Sequence, residues 1–384
     1  MDFSLTDDEQ LLRANVRAFC RAEVAEQAKQ WDEDERLPEH ILRKVADMGL
    51  MGMQVPEQYG GAGVSAVASA CVIEELAATD GSLALTVASH NALCTGHIFL
   101  AGNEQQRHKY LPELCSGRAL GAWGLTEPGS GSDAAGARTT AVRRGERWIL
   151  NGSKTFITQG SIGKYAVVIA STDPSKKQHG LTAFVLERGM PGFSVGKKIE
   201  KLGMRASDTV ELVFEDVEVP LENQLGEQNR GFVDTLQILD RGRIGIAALA
   251  CGLGRGAMDA SIAYARERKQ FGQPLAAFQA IQWKIANMAT ELDAAWLLTV
   301  CAAALRDQSK PFTFEAAKAK LYSAQAAMRA CNEAVQIHGG YGYTREFPLE
   351  RALRDAKLCE IGEGTNEIQR LVLSRAISQR FSRA

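Results

Sequence analysis

The sequence predicts a mostly helical α+β protein in three parts. An N-terminal helical domain is expected over residues 1–120, a middle antiparallel β domain over 121–230 and a C-terminal four-helix bundle over 231–384. Three observations lead there. Apolar residues recur at helical spacing through the first part, and short β-branched and aromatic runs separated by Asn-Gly, Arg-Gly and Pro-Gly turns fill the second. Long alanine-rich segments with one apolar face fill the third. With 384 residues, 45% of them hydrophobic, the chain has material for more than one core.

The elements follow in order. SLTDDEQLLRANVRAFCRAEV opens with Thr6 and Glu9 in capping-box spacing ahead of helical periodicity. PEHILRKVADMGL (38–50) reads as a second helix, with Pro38 at its start and Gly49 near its end. VPEQYGGAGVS is a loop, two more apolar helices cover 65–79 and 82–101, and NEQQRHKYLPELCSG closes the region. WILNGSKTFIT, YAVVIAST, LTAFVLE and TVELVFEDVEV read as strands of a small barrel or sandwich, with no βαβ alternation. Helices return near residue 230. Segments 278–308, 313–340, 348–360 and 366–382 have short connections, which suggests a bundle. GLGRGA (252–257) matches a dinucleotide fingerprint on paper, but its flanks read as one helix, so small residues at a close helix contact explain it better.

Composition excludes several classes. A net charge of -2 and a pI near 6.4 leave no basic footprint for nucleic acid. The eight cysteines form no CxxC pair and the six histidines no ligand spacing, so no metal is expected. The N-terminus MDFSLTDDEQ lacks an apolar run, and no uninterrupted apolar stretch reaches the roughly 20 residues of a membrane span. A cytoplasmic bacterial protein or a mature organellar-matrix protein, without a membrane span or targeting segment, is the expectation.

Four stretches and one turn can carry chemistry. GAWGLTEPGSGSDAAG (121–136) is a loop rich in backbone N–H groups, with hydroxyls at Thr126, Ser130 and Ser132. It suits a phosphate or a polar ring edge, though an ordinary polar hinge between domains is the plainer reading of the loop alone. In KTFITQG (154–160), Phe156 and Thr158 share one strand face, where a flat ring can lie; an inward core phenylalanine is the plainer reading. Arg268 in ERKQFGQP is a phosphate ligand or a solvated charge. QIHGGYGYTREFPLERALRDAK ends one helix at Gly339–Gly340 and opens another. In AKLCEIGEGTNEIQR, Glu363 stands between Gly362 and Gly364, in a turn whose plainer reading by itself is a solvated glutamate.

Together these residues resemble the acyl-CoA dehydrogenase family over essentially the whole chain. GLTEPGSGSDAAG (124–136) and QIHGGYGYTREFPLERALRD (336–355) match signature stretches, and FITQG, ERKQFG and EGTNEIQR follow in the expected order and spacing. LDRGRIGIA (239–247) and EIQRLV (367–372) resemble the short-chain, butyryl-CoA branch.

The resemblance implies the acyl-CoA dehydrogenase fold, non-covalent FAD and a homotetramer built as a dimer of dimers. It implies α,β-dehydrogenation of a short- to medium-chain acyl-CoA to the trans-2-enoyl-CoA, with electrons passed to electron-transfer flavoprotein. An oxidase of the same fold using O₂ and a non-catalytic flavin-binding scaffold are the alternatives. Glu363 matches the base. Trp123, Leu125, Thr126, Gly131 and Ser132 match flavin-contacting positions, and Phe156 and Thr158 those beside the ring. Arg268, Phe271, Gln279, Gln336, Gly339 and Gly340 are expected to reach the cofactor of the neighbouring subunit, with Thr365 and Glu367 completing that site. Ser132, Asp240, Arg243 and Gly364 would line the acyl-CoA side. Some branches carry the base on an earlier helix, at the position of Gly242; glycine there points to the late position. The sequence departs from the common pattern at Phe156, where tryptophan is usual near the electron route. It departs again at Gly362, where tyrosine is frequent and where glycine would widen the pocket or loosen the turn.

Overall fold

The computed structural model describes residues 5–381. The N-terminal region contains α1 (Asp7–Phe19), α2 (Ala28–Asp34), α3 (Glu39–Asp47), α4 (Ala66–Ala77), α5 (Gly81–Ser89), α6 (Gly96–Ala101) and α7 (Glu104–Cys115). Thr6 and Glu9 make the capping box that their spacing predicts. Ser65 and Asp80 cap α4 and α5 through their side chains, satisfying amides that the first helical turn leaves free. A π turn, His90–Thr95, joins α5 to α6, which explains why 82–101 reads as one helical run.

The middle region forms one eight-stranded sheet, not two packed sheets. Its strands are β1 (Gly121–Gly124), β2 (Thr140–Arg144), β3 (Arg147–Thr158), β4 (Tyr165–Ser171), β5 (Leu181–Glu187), β6 (Phe193–Lys198), β7 (Thr209–Pro220) and β8 (Gln224–Leu225). The order is β6-β7-β3-β2-β4-β5-β8, with β1 added on β4. Most pairs are antiparallel, as expected, but β1 lies parallel to β4 and β2 meets β4 in parallel at Thr140 and Ser171. The β2–β3 hairpin between β1 and β4 is long enough for the chain to return in the same direction. Both faces are buried at β1, β4 and β5, whereas β2 and β6 are largely exposed. Trp123, Tyr165 and Val167 face the core shared with α7, while Ala122, Ala166 and Val168 face Trp148 and Phe184. The alternation of neighbours between two cores is the two-residue period of the strand.

The C-terminal region starts with α8 (Gly231–Glu267), 37 residues long, followed by a short hairpin, β9 (Lys269–Gln270) and β10 (Gln273–Pro274). α9 (Gln279–Asp307), α10 (Thr313–His338), α11 (Leu349–Cys359) and α12 (Asn366–Phe381) follow. α8, α9 and α10 pack on one another, and α11 and α12 share the fourth side of the bundle against α10. The GLGRGA stretch is the interior of α8, as its flanks indicate. Three helical stretches, Gly81–Ala101, Gly231–Glu267 and Gln279–Asp307, are long and apolar enough by composition to cross a membrane. Polar residues scattered along each keep every uninterrupted apolar run in them short. The most apolar windows of the first two are 72% and 61% buried within the protein, whereas that of α9 is 33% buried. Trp283 and Leu297 on α9 are exposed.

The small residues of α8 set how closely its neighbours approach. A Cβ added at Gly252 would lie 2.2 Å from the Glu74 carbonyl oxygen, one at Gly256 2.2 Å from that of Ala78, and one at Gly254 2.4 Å from Leu292 Cδ2. Alanine gains about 1 kcal/mol of helix propensity over glycine. Forcing carbon into a filled contact costs about 1–3 kcal/mol, and here the obstacle is rigid backbone. Gly252→Ala and Gly256→Ala are therefore expected to lower the urea midpoint despite their better helix propensity.

Candidate active site

The glycine turn joins α11 to α12. The amides of Ile361 and Gly362 both donate to the Leu358 carbonyl, at 2.9 and 2.8 Å, so glycine at 362 leaves the turn fastened, not loosened. The chain then reverses through two left-handed residues, Glu363 at φ 51° and Gly364 at φ 93°. A glutamate in that region is strained by about 1 kcal/mol or more, and such residues gather at functional sites. The Asn366 amide donates to the Glu360 carbonyl at 2.9 Å, and Thr365 Oγ1 accepts from the Ile368 amide, closing the turn and starting α12.

This geometry drives the Glu363 carboxyl against α8. A Cβ added at Gly242 would lie 1.6 Å from Glu363 Oε2, so the carboxyl occupies the space that any side chain at 242 would need. The early and late positions for a base are thus one place in the fold. Oε2 is buried without a hydrogen-bond partner. Burial lifts the carboxyl to about 7, with Arg243 and Lys320 pulling the other way. The turn itself is only half-buried, but the Glu363 carboxyl is turned inward and is not a solvated surface group. Among the described residues the backbone N–H of Glu363 has no acceptor and stays available.

The surrounding residues come from three helices. Arg243, almost wholly buried, donates to Asp240 Oδ1 at 2.6 Å, and Asp240 Oδ2 accepts from the Thr313 hydroxyl at 2.5 Å. The structure therefore brings Asp240, Arg243 and Glu363 together with Gly242. Sequence reasoning missed Lys320 on α10. It is fully buried and donates to the Gly364 carbonyl at 2.7 Å. The signal was there, since Lys320 falls on the buried stripe of Ala316, Ser323, Ala324 and Ala327. Gln369 also donates to the Gly364 carbonyl, at 2.9 Å. Thr365 acts as a cap, and Glu367 is an exposed side chain paired with Arg370.

A second group lies where β1 leaves the sheet. Trp123 and Leu125 are buried, and Trp123 Nε1 donates to His97 Nδ1 at 3.0 Å. The Thr155 amide donates to the Thr126 carbonyl at 2.9 Å, which ties the loop to β3 beside Phe156. Lys154, another missed residue, is fully buried; its Nζ donates to the Leu125 carbonyl at 3.0 Å and to Glu127 Oε1 at 2.7 Å. Its parity with Trp148 and Leu150 on β3 was the available clue. Glu127 also accepts from the amides of Arg138 and Thr139, so one buried ion pair fixes both ends of the loop. Ser130 is turned inward onto the Asp133 carbonyl, whereas the amides of Gly131 and Ser132 have no acceptor among the described residues. Phe156 is not a core residue. It is 64% exposed, at φ 58°, in a bulge of β3, and with the half-buried Thr158 it flanks buried Ile157.

The third group is far away. Arg268 lies 26 residues beyond Gly242 along α8, about 39 Å at 1.5 Å per residue. Gly339 lies 19 residues beyond Lys320 along α10, about 28 Å by the same rise. Arg268, Gly339 and Gly340 line a cleft of about 520 Å³ with Tyr264, His338 and Tyr341. His338 stacks on Tyr264 at 4.1 Å, the Arg268 guanidinium lies 5.6 Å from the Tyr341 ring, and His338 Nε2 is buried without a partner. Phe271, 93% exposed, projects from the adjacent hairpin; Gln279 and Gln336 are exposed at the same end of the bundle. The structure does not bring these residues to Glu363 within one chain.

Comparison with known proteins matches this arrangement to three family models. They are the acyl-CoA dehydrogenase N-terminal domain over residues 6–118, the middle domain over 122–217 and the C-terminal domain over 229–378. The short-chain-specific acyl-CoA dehydrogenase of Clostridium acetobutylicum is 45% identical over 98% of this chain and 100% of its own. The butyryl-CoA dehydrogenase structure from Megasphaera elsdenii superimposes with a TM-score of 0.97, at 42% identity over 98% of this chain and 100% of that one. A chain from the structural study of the electron transferring flavoprotein of Acidaminococcus fermentans superimposes equally, at 0.97 and 43% identity over 98% and 99%.

The buried pair below the loop allows a direct check. Lys154→Met leaves the Glu127 carboxylate without its cation. Breaking a buried pair from one side costs about 3–5 kcal/mol, and a loss of that size is expected in guanidinium unfolding.

Proposed function

The chain belongs to the acyl-CoA dehydrogenase family, and on that premise we propose that Glu363 is the base that opens dehydrogenation of a short- to medium-chain acyl-CoA. The observation that carries the reading is the Glu363 carboxyl itself, held by a left-handed turn against Gly242 with Oε2 buried and unpartnered. The ionised carboxylate takes the α-proton of the thioester, and the Cα–H electron pair moves towards the carbonyl. The charge that develops there needs a donor placed in advance, and the free amide of Glu363 is one. Bound FAD supplies the hydride acceptor for the β-carbon, which completes the trans-2-enoyl product.

Residues of this chain fit that cofactor. The free amides of Gly131 and Ser132 suit an anionic or polar edge, and the exposed Phe156 ring with Thr158 offers a flat face beside it. Trp123, Leu125 and Thr126 stand next to that face through the Thr126–Thr155 bond. Asp240, Arg243, Ser132 and Gly364 are assigned to the acyl-CoA side.

The distal cleft supports a shared site. Arg268, Phe271, Gln279, Gln336, Gly339 and Gly340 lie too far along α8 and α10 to serve Glu363 of their own chain, so we assign them to the cofactor of a neighbouring subunit, with Thr365 and Glu367 beside the first group. The exposed apolar side chains of α9 support burial between subunits in a dimer of dimers. Electron-transfer flavoprotein is the proposed acceptor, supported by the similarity to the chain from the Acidaminococcus study.

The test is an anaerobic titration of the flavin-loaded protein with butyryl-CoA, followed by flavin absorbance. Wild type is expected to bleach; Glu363→Gln should keep its flavin and bleach about 10³-fold more slowly, within the range of general-base effects. Bleaching of that variant at the wild-type rate would remove Glu363 from the role. Because a carboxylate must be ionised to act, kcat/KM should rise with pH through the Glu363 value near 7 and level above it. Arg268→Ala is expected to weaken flavin retention while leaving that pH midpoint in place.

A further inference from the structure

Two cations face the Glu363 carboxyl, and they are not equivalent. Arg243, from α8, is already paired with Asp240, which Thr313 also holds. Lys320, from α10, is fully buried, yet both of its acceptors are neutral oxygens, the Gly364 carbonyl at 2.7 Å and Asn366 Oδ1 at 3.4 Å. Among the described residues no carboxylate lies within ion-pair distance of it. The charged and titratable groups around Lys320 are Cys359 and Glu360 at the end of α11, Glu363 in the turn and Arg243 across on α8. Cys359 is itself buried and pushed up to about 12, so it stays neutral. Glu360 is engaged by Lys357. Lys320 is therefore the one of the two cations whose charge no pairing carboxylate offsets.

We propose that Lys320 is a positioning residue for the proton-abstraction step, pinning the Gly364 carbonyl beneath the turn and supplying the positive field that keeps the Glu363 carboxyl ionisable in a dry site. The proposal rests on the assignment of Glu363 as base. Burial alone favours the neutral acid, and a base held neutral cannot act. A cation hydrogen-bonded to neutral oxygens opposes burial most effectively, because nothing cancels it. The cost is borne by the lysine, which desolvation lowers to about 8.

The same bond has a mechanical side. The left-handed pair Glu363 and Gly364 reverses the chain, and the Gly364 carbonyl accepts from both Lys320 and Gln369. A merely structural lysine and a field-supplying lysine differ in what they do to the pH profile. Loss of the pin lowers kcat at every pH. Loss of the charge raises the pKa of the base and moves the acidic limb upward.

The experiment compares flavin-loaded Lys320→Met, Lys320→Gln and Lys320→Arg with wild type, measuring kcat and kcat/KM for butyryl-CoA from pH 5.5 to 9.5. The two neutral variants are expected to move the acidic limb up by about one unit, a tenfold deficit near pH 6 that shrinks towards pH 9. Lys320→Arg keeps the charge and should hold the limb at its wild-type position. A limb unchanged in both neutral variants overturns the proposal, whatever happens to kcat. Failure of both to retain flavin also overturns it, because Lys320 would then serve the fold and not the base. Glu363→Gln run alongside separates the two claims, since wild-type turnover in that variant sinks the base assignment itself.

Discussion

The structure depends on one smooth helix. α8 carries glycines at 242, 252, 254 and 256, and at each of them a methyl group would strike a neighbour. At three of these positions the neighbour is α4, the residues following it, or α9, so the absence of side chains sets the interhelical spacing. At the fourth it is the Glu363 carboxyl. Packing and chemistry thus use the same device, namely a helix surface reduced to backbone so that something else can lie against it. The bulk missing from α8 is replaced by atoms of other elements, which is how a filled interior keeps its density.

The carboxyl at the end of that contact is a balance of two opposing effects. Removal from water favours the protonated form, and nearby cations favour the ionised one. Their sum places Glu363 near neutrality, where a general base is both substantially ionised, about half at pH 7, and basic enough to take a weakly acidic proton. The backbone contributes separately. A left-handed glutamate followed by a left-handed glycine reverses the chain and sets the carboxyl against Gly242, which a regular helix end does not do. Strain at Glu363 is offset by the bonds that fasten the turn on either side.

Much of this was legible in the sequence. Periodicity and capping located the helices, since Thr6 with Glu9, and Pro38 with Gly49, are local signals that local structure obeys. The flanks of GLGRGA decided correctly between a nucleotide loop and a helix contact. Sheet pairing was less legible, because the parallel placement of β1 on β4 follows from where the chain returns and not from any residue in either strand. Glu363 and its glycine neighbours stood out, but Lys320 and Lys154 did not. A buried lysine looks, in one dimension, like a surface lysine; only its place on an apolar stripe or strand parity betrays it. Phe156 shows the converse. An aromatic in a strand suggests a core, and the β3 bulge turns it outward instead.

The length of α8 has a genetic consequence. It holds the base-bearing contact at Gly242 and the distal cleft at Arg268 at opposite ends of one rigid rod, so a lesion at one end leaves the other intact. If each complete site draws its base from one chain and its distal residues from another, two differently damaged chains mixed in one assembly reconstitute an undamaged site at one of their shared boundaries. Alleles that are individually null, one altered at Glu363 and one at the cleft, should then complement in the same cell, whereas two lesions at the same end should not.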